Sequence, residues 1–394
     1  MMKIAFFVQH LIWGGVEKAL FELTKILSEE RNDITIYMIK KCGGLVDFIP
    51  DSVKLMEIPM NTKVRKSIAV GGIKLSVKEA MTDHDFRRLI VLLYQYAKNQ
   101  TGFTELGVDF GAIPSIQETY DIAVNFHIHS PFLVKYLSEK VSANVKYTWI
   151  HNDFVTTGYE ISKLKSYLDC VDRFFCVSQQ LYVEFLQYIP DYAEKTEIAY
   201  NIVPAKEILR KGEEYYPQEF EETEGLKLLT VGRLEEQKGY DLALEVCERL
   251  KHSGFVFRWY VLGAGSQKKF LESEVKKRDM VNYFRLLGTK ANPYPYFKNC
   301  DIYVQTSRHE GYVTTVSEAL IFNKPIVCTD VSGAREQLEN GVTGKIVECN
   351  VNAIYDGLKT LIDSSDKRMN YAESISKRNH EQNNYIYLKW FRKK

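Results

Sequence analysis

The chain has 394 residues, 45% hydrophobic and 26% charged, which suits an ordinary globular protein of two or three domains. Lys plus Arg number 52 against 51 Asp plus Glu, and this net charge of +1 argues against nucleic acid as the main partner, because phosphate binding leaves a basic excess. The 7 cysteines are scattered and form no C-x-x-C pair, which argues against a disulfide framework or structural zinc site and fits a reducing compartment.

The first apolar run, residues 3–9, reads as a buried strand. A signal peptide fits less well, since Gln9 and His10 interrupt the run and Glu17-Lys18 follow early. Gly14-Gly15 break the chain before a helix over 16–28, with Ala19, Leu20, Leu23, Ile26 and Leu27 at helical spacing. Strands are expected at 34–40 and 53–58, whereas 60–118 resists assignment. Next come a strand at 121–126, a helix at 132–141, a strand at 146–150, a helix at 160–169 and a strand at 173–177. Such alternation implies a parallel sheet covered on both faces.

Residues 204–224, with Pro204, Pro217 and the run Glu219, Glu221, Glu222, Glu224, read as a linker or exposed hairpin. The alternation then restarts. Strands are expected at 226–231, 255–262, 283–287, 301–305, 325–329 and 344–347, with helices at 240–251, 267–278, 293–299, 315–322 and 334–339. The tail is mainly helical, and Tyr385, Tyr387, Leu388, Trp390 and Phe391 make its end too apolar to hang free. The expected organisation is an α/β chain of two doubly wound Rossmann-like domains facing each other across a cleft. A domain over 1–203 and a linker over 204–224 precede a second domain over 225–375, and a helix over 376–394 packs back on the first domain. Ligands of open parallel sheets bind beyond the carboxyl ends of strands, so the motifs are sought there.

Gly232-Arg233 through Lys238-Gly239-Tyr240-Asp241 follows a strand and opens a helix. Gly232 permits a sharp turn. Arg233 and Lys238 bring a bidentate fork and a mobile point charge to a helix N-terminus, a combination suited to a diphosphate. Glu310-Gly311-Tyr312-Val313-Thr314-Thr315 through Glu318 puts two carboxylates eight residues apart, about two helical turns. Carboxylates accept hydrogen bonds from sugar hydroxyls, Gly311 lets a ligand approach, and the N–H groups of Val313, Thr314 and Thr315 would face an anion. Each cluster alone is also compatible with surface ion pairs or an ordinary exposed helix. Gly14-Gly15-Val16-Glu17 follows the first strand but lacks both the dinucleotide fingerprint and the P-loop ending.

Taken together and in this order, these motifs resemble the retaining glycosyltransferases of the family-four type, which have the GT-B fold. The likeness is densest over 226–348 and extends to Cys176-Val177-Ser178 and Tyr200-Asn201. The stretch Val313-Thr314-Thr315-Val316-Ser317 departs from it, since the family usually has Gly or Pro followed by aliphatics there. The resemblance implies that Arg233 and Lys238 bind the diphosphate of a nucleotide sugar, such as a UDP-sugar, and stabilise the leaving group. It further implies that Glu318 holds the ribose, Glu310 contacts the donor sugar, and the backbone from Tyr312 to Thr315 its phosphate. Gly15 would let the first domain approach the phosphates, and His151 would be a cleft histidine near the reacting centre. The transfer would retain anomeric configuration, with no metal, no cofactor and no protein nucleophile.

Two metal-like patterns are discounted. Asp83-His84-Asp85 precedes a helical run, where Thr82 and Asp85 read as an N-cap and its acidic N3 partner. His127-x-His129 has no third ligand at suitable spacing. Residues 54–98 hold nine Lys or Arg against four Asp or Glu, interleaved with apolar residues, and suggest an anionic membrane surface or acceptor channel. No run reaches the ~18 apolar residues needed to span a bilayer. The expectation is therefore a cytoplasmic enzyme, with a peripheral place at the inner membrane face left open. Its acceptor would be a saccharide, a lipid-linked molecule or a protein, in bacterial surface polysaccharide or glycoconjugate synthesis. The alternatives are a nucleotide-sugar epimerase, a phosphorylase or a non-catalytic glycan- or peptide-binding partner on the same fold.

Overall fold

The computed structural model describes residues 1–12, 14–61, 110–154, 160–378 and 386–392, with isolated positions between 64 and 93. The chain divides into two compact units, Met1–Ile202 with Tyr385–Lys394, and Val203–Asn384.

The first unit is built on strands β1 (Lys3–Val8), β2 (Asp33–Met38), β3 (Val53–Glu57), β4 (Thr119–Asn125), β5 (Ser142–Ile150), β6 (Arg173–Cys176) and β7 (Thr196–Ile198). Their order is β3-β2-β1-β4-β5-β6-β7, and every pairing is parallel. Ile4 to Phe7 are fully buried, as a continuous apolar run in a doubly covered sheet must be. The chain winds outward from β1 to β3 and then returns to lay β4 on the other side of β1. The crevice between the ends of β1 and β4 is therefore the topological switch point of this sheet.

The second unit repeats the plan with β8 (Leu226–Val231), β9 (Phe257–Leu262), β10 (Phe284–Gly288), β11 (Ile302–Gln305), β12 (Ile326–Thr329) and β13 (Lys345–Val347). The order β10-β9-β8-β11-β12-β13 is again parallel throughout, and its switch point lies between β8 and β11. One face of this sheet is covered by the helices Tyr240–His252 and Val351–Ile362, whose Val246, Leu250, Ile354 and Leu358 join Trp259 and Val304 in the core.

Three segments differ from the sequence reading. Residues 204–224 are no free linker, since helices Ala205–Gly212 and Gln218–Glu221 bury Ile208 and Phe220 in the second unit's core. Strand β7 and the helix Gln179–Tyr188 add to the first unit beyond the expected elements. The tail's end is a 3-10 turn, Ile386–Phe391, rather than part of a long helix. It docks on the first unit, with the Phe391 ring 6.3 Å from Phe6 and 5.6 Å from Tyr147. Trp390 donates its indole N–H to Glu197 at 2.9 Å, while the Arg173 guanidinium lies 4.0 Å over the same indole.

Phe391 is fully buried among aromatics, so Phe391→Ala should cost about 3–5 kcal/mol. Urea denaturation followed by a first-unit probe should show that loss, and an unchanged midpoint would refute the docking.

Candidate functional site

The G-R…K-G segment turns off the end of β8. Gly232 donates its N–H to Leu262 at 3.0 Å, and Tyr240 returns its hydroxyl to the Gly232 carbonyl at 2.9 Å. The chain also passes so close to the end of β9 that a Cβ on Gly263 would stand 1.9 Å from the Gly232 oxygen. Gly263 has φ +148, so glycine is required there for both space and conformation. Residues Glu236–Lys238 form one 3-10 turn, and Gly239, at φ 64, sets the helix Tyr240–His252 on its way.

The loop after β11 lies beside this turn and is sewn to it. Arg308 donates its N–H to the Gln237 carbonyl at 2.7 Å, and its guanidinium holds Asp241 with two bonds of 2.9 and 2.6 Å. Thr306 donates its hydroxyl to the Lys238 carbonyl at 2.9 Å, and Gln237 donates to the His309 carbonyl at 2.9 Å. A Cβ on Gly239 would meet the Thr306 oxygen at 2.1 Å, which shows how closely the two loops approach.

This seam brings together two residues that are 72 apart in sequence. Lys238 Nζ lies 2.5 Å from Glu310 Oε1, with the two side chains only 17% and 9% exposed. The same Oε1 accepts from Ser307 Oγ at 2.6 Å and from Gln305 Nε2 at 3.4 Å. Gln305 in turn donates to Ser307 at 2.6 Å and accepts from the Tyr303 hydroxyl at 2.7 Å and from Thr315 at 3.2 Å. The result is a buried polar chain running from the middle of β11 to the carboxylate. The motif reading missed Gln305 and Ser307, although two polar residues at the end of an apolar strand were a visible signal.

The other nominated residues spread around this pair. Arg233 is exposed, and among the described residues its side chain makes no hydrogen bond or ion pair. Glu318 is 4% exposed within the helix Thr314–Ile321. Gly311 is buried beside Tyr312, whose hydroxyl is pushed up to about 12 by burial. The expectation that the Val313 N–H faces an anion is corrected, because Gln337 Oε1 already accepts that N–H at 3.2 Å. Thr314 and Thr315 open the helix, and their N–H groups are the first-turn donors that an α-helix leaves without an internal acceptor.

In the first unit, His151 follows β5 at 6% exposure and packs its ring 4.7 Å from Phe126. Burial holds its imidazole well below the ordinary range, with His127 and His129 adding to the effect, so it is neutral at pH 7. Gly15 opens the helix Gly15–Glu29. Residues 54–98, the basic segment, lie mostly outside the described residues, as does Asp83. Thr82 is helical rather than a cap, and among the described residues no group of three or more His, Cys, Asp or Glu could hold a metal.

The family model of glycosyl transferases group 1 matches residues 212–378. Over 190 residues the chain is 32% identical to the N-acetylgalactosamine-N,N'-diacetylbacillosaminyl-diphospho-undecaprenol 4-alpha-N-acetylgalactosaminyltransferase of Campylobacter jejuni, covering 47% of this chain and 49% of that protein. Over 127 residues it is 30% identical to the amylovoran biosynthesis glycosyltransferase AmsK of Erwinia amylovora, covering 30% and 31%. The matched segments thus span about half or less of these curated relatives. Among solved structures, Anabaena HepE in complex with UDP superposes with a TM-score of 0.69 at 15% identity, over 99% of this chain and 98% of that one. WaaG, a glycosyltransferase involved in lipopolysaccharide biosynthesis, superposes with a TM-score of 0.60 at 14% identity, over 96% and 97%.

The chain therefore has the GT-B fold, with two parallel-sheet α/β domains. Within it, residues 212–378 are the part similar to the glycosyl transferases group 1 family.

Ser307→Ala removes one donor from the Glu310 carboxylate and leaves Gln305 short of an acceptor. The loss should be about 1–3 kcal/mol in thermal or urea unfolding. A variant as stable as the parent would show that the polar chain does not hold Glu310.

Proposed function

We propose that the protein is a retaining glycosyltransferase that moves a sugar from a nucleotide diphosphate sugar, of the UDP type, to a saccharide or lipid-linked acceptor. The observation that carries this reading is the meeting of Lys238 and Glu310 at the switch point of the second sheet. A cation, a carboxylate and first-turn N–H groups at one strand end offer a diphosphate its counter-charge and a sugar its hydrogen-bond acceptor. The relatives' names support it, since the Campylobacter protein is a sugar transferase acting on a diphospho-undecaprenol and HepE is seen with UDP. A setting in surface polysaccharide or glycoconjugate synthesis follows from the same names.

On this reading Lys238 exchanges its Glu310 partner for the donor diphosphate. Arg233, which is exposed, joins it there. The two cations offset charge that grows as the sugar–phosphate bond breaks, so their stabilisation is greatest in the transition state. Glu310, released from Lys238 but still held by Ser307 and Gln305, is left to accept a hydroxyl of the donor sugar. Glu318 is the ribose-side carboxylate. Retention is assigned to a front-side displacement in which the departing phosphate takes the acceptor's proton, so no protein nucleophile is needed.

Arg233→Ala, Lys238→Ala and Glu310→Ala should each lower transfer by at least about 10²-fold while the protein still folds. The measurement is a donor screen on one purified sample, with UDP release and product formation both recorded. Full activity in any two variants would sink the assignment. UDP should also stabilise the parent in a thermal shift, by about 2.7 kcal/mol at 100 times its dissociation constant.

A peripheral membrane position is part of the same proposal. No helix among the described residues is long and apolar enough to cross a bilayer, while Met81, Phe86 and Ile90 of the basic segment are exposed. Vesicles rich in phosphatidylglycerol should carry the protein upward in flotation at low salt and release it at high salt. Protein left in solution at low salt would remove the membrane from the proposal.

A further inference from the structure

The carboxylate of Glu310 has two oxygens, and the protein uses them unequally. Lys238 Nζ, Ser307 Oγ and Gln305 Nε2 all come to Oε1, at 2.5, 2.6 and 3.4 Å. Among the described residues no donor comes to Oε2. Glu310 keeps 8% of its surface, and Oε2, which is not sealed from solvent, is the unused oxygen. A ligand therefore meets one acceptor atom in a fixed place, not a swinging pair.

Oε1 is committed by the direction of the bonds as well as by their length. Ser307 has one hydroxyl proton. Gln305 Nε2 donates to the oxygen of that hydroxyl at 2.6 Å, so the proton is left to point at Glu310. Gln305 Oε1 in turn accepts from the Tyr303 hydroxyl at 2.7 Å and from Thr315 Oγ1 at 3.2 Å. An amide turned the other way would set its oxygen 3.4 Å from a carboxylate oxygen, with no proton between them. Tyr303, Gln305 and Ser307 are all buried, so little water is at hand to replace a lost bond. The row is also independent of Lys238. When that lysine turns to a diphosphate, Ser307 and Gln305 still hold Oε1, and the carboxylate does not swing.

We propose that Gln305 is a positioning residue that sets selectivity for the donor sugar. By directing Ser307 it ties Oε1 of Glu310 to the protein, and Oε2 alone is left to accept one hydroxyl of that sugar. The assignment rests on the glycosyltransferase reading given above. It adds the atom that reads the sugar and the residue that holds this atom in place. Selectivity follows because a sugar without that hydroxyl leaves a desolvated acceptor unpaired, which costs far more than a poorly filled apolar contact.

The test uses the full chain with the UDP-sugar that the parent consumes in the donor screen, and with the monodeoxy analogues of that UDP-sugar, each lacking one hydroxyl. The parent should lose at least about 10²-fold in kcat/KM with one analogue and much less with the others. Gln305→Met fills the same space without hydrogen bonds. It should reduce that preference at least about 10-fold, mostly by slowing the full donor. UDP affinity in the thermal shift should stay unchanged, because UDP lacks the transferred sugar and both cations are retained.

An unchanged preference in Gln305→Met would overturn the proposal, as would a parent that uses every monodeoxy donor equally well. A preference kept in full while stability and UDP affinity fall together would make Gln305 merely structural and would also overturn it. If Gln305→Met does not fold, Tyr303→Phe decides the matter, since it removes one hydroxyl from Gln305 Oε1 and keeps the ring in place. It should weaken the same preference by at least about threefold, and a preference left intact would refute the assignment. A parent that neither binds UDP nor turns over any UDP-sugar would instead refute the glycosyltransferase reading, and the assignment with it.

Discussion

The second domain's site depends on one contact, the ion pair of Lys238 and Glu310. Neither charge is well hydrated, so each needs the other. A buried ion pair is worth little by itself and is costly to break from one side. The carboxylate is therefore not left to the lysine alone, since Ser307 and Gln305 bond to the same oxygen and Tyr303 anchors Gln305 from within β11. The loops that carry the two charges are locked by Arg308, Gln237 and Thr306 before either charge is considered. The backbone seam fixes the ion pair, and the ion pair gives each charge its partner in a place with little water.

The first domain uses the same physical device with different residues. Parallel sheets that reverse their winding leave a crevice beyond two adjacent central strands. In the second sheet that crevice holds a carboxylate paired with a lysine, and in the first a carboxylate, Glu17, flanked by His10 and His127. The choice of partner matters chemically. An ammonium keeps its charge throughout the neutral range, which suits counter-charge for phosphate, whereas an imidazole does not.

The strands were legible because both faces of these sheets are covered. A continuous apolar run such as Ile4 to Val8 has no other good use in a globular protein. The donor-side motifs were legible because glycines and charges recur at strand ends in a fixed order. Residues 204–224 misled because their charge density is high and their apolar anchors few. Ile208 and Phe220 are nevertheless 1% exposed each, so two fully buried side chains tie the segment down. The side-chain partners of Glu17 and Glu310 were not legible at all. His10 and Glu17 are near in sequence, but His127 reaches them only because β4 returns to lie beside β1.

The stretch that departs from the family resemblance, Val313-Thr314-Thr315, shows what the polar residues are for. Val313 stands just before the helix in an extended conformation, without a capping side chain of its own. Gln337 supplies the missing constraint, accepting the Val313 N–H at 3.2 Å and donating to its carbonyl at 2.8 Å. A side-chain amide from a neighbouring segment thus fixes the backbone at the head of this helix. The Thr315 hydroxyl is likewise committed, since it donates to Gln305 Oε1 and so supports the chain that holds Glu310. Gln305 can present its N–H to Ser307 and Glu310 in this direction only because Tyr303 and Thr315 satisfy its oxygen. The departure is therefore compensated locally. Thr315 supports the Glu310 carboxylate through Gln305, and Thr314 is left as the residue of the pair whose side chain the network does not use.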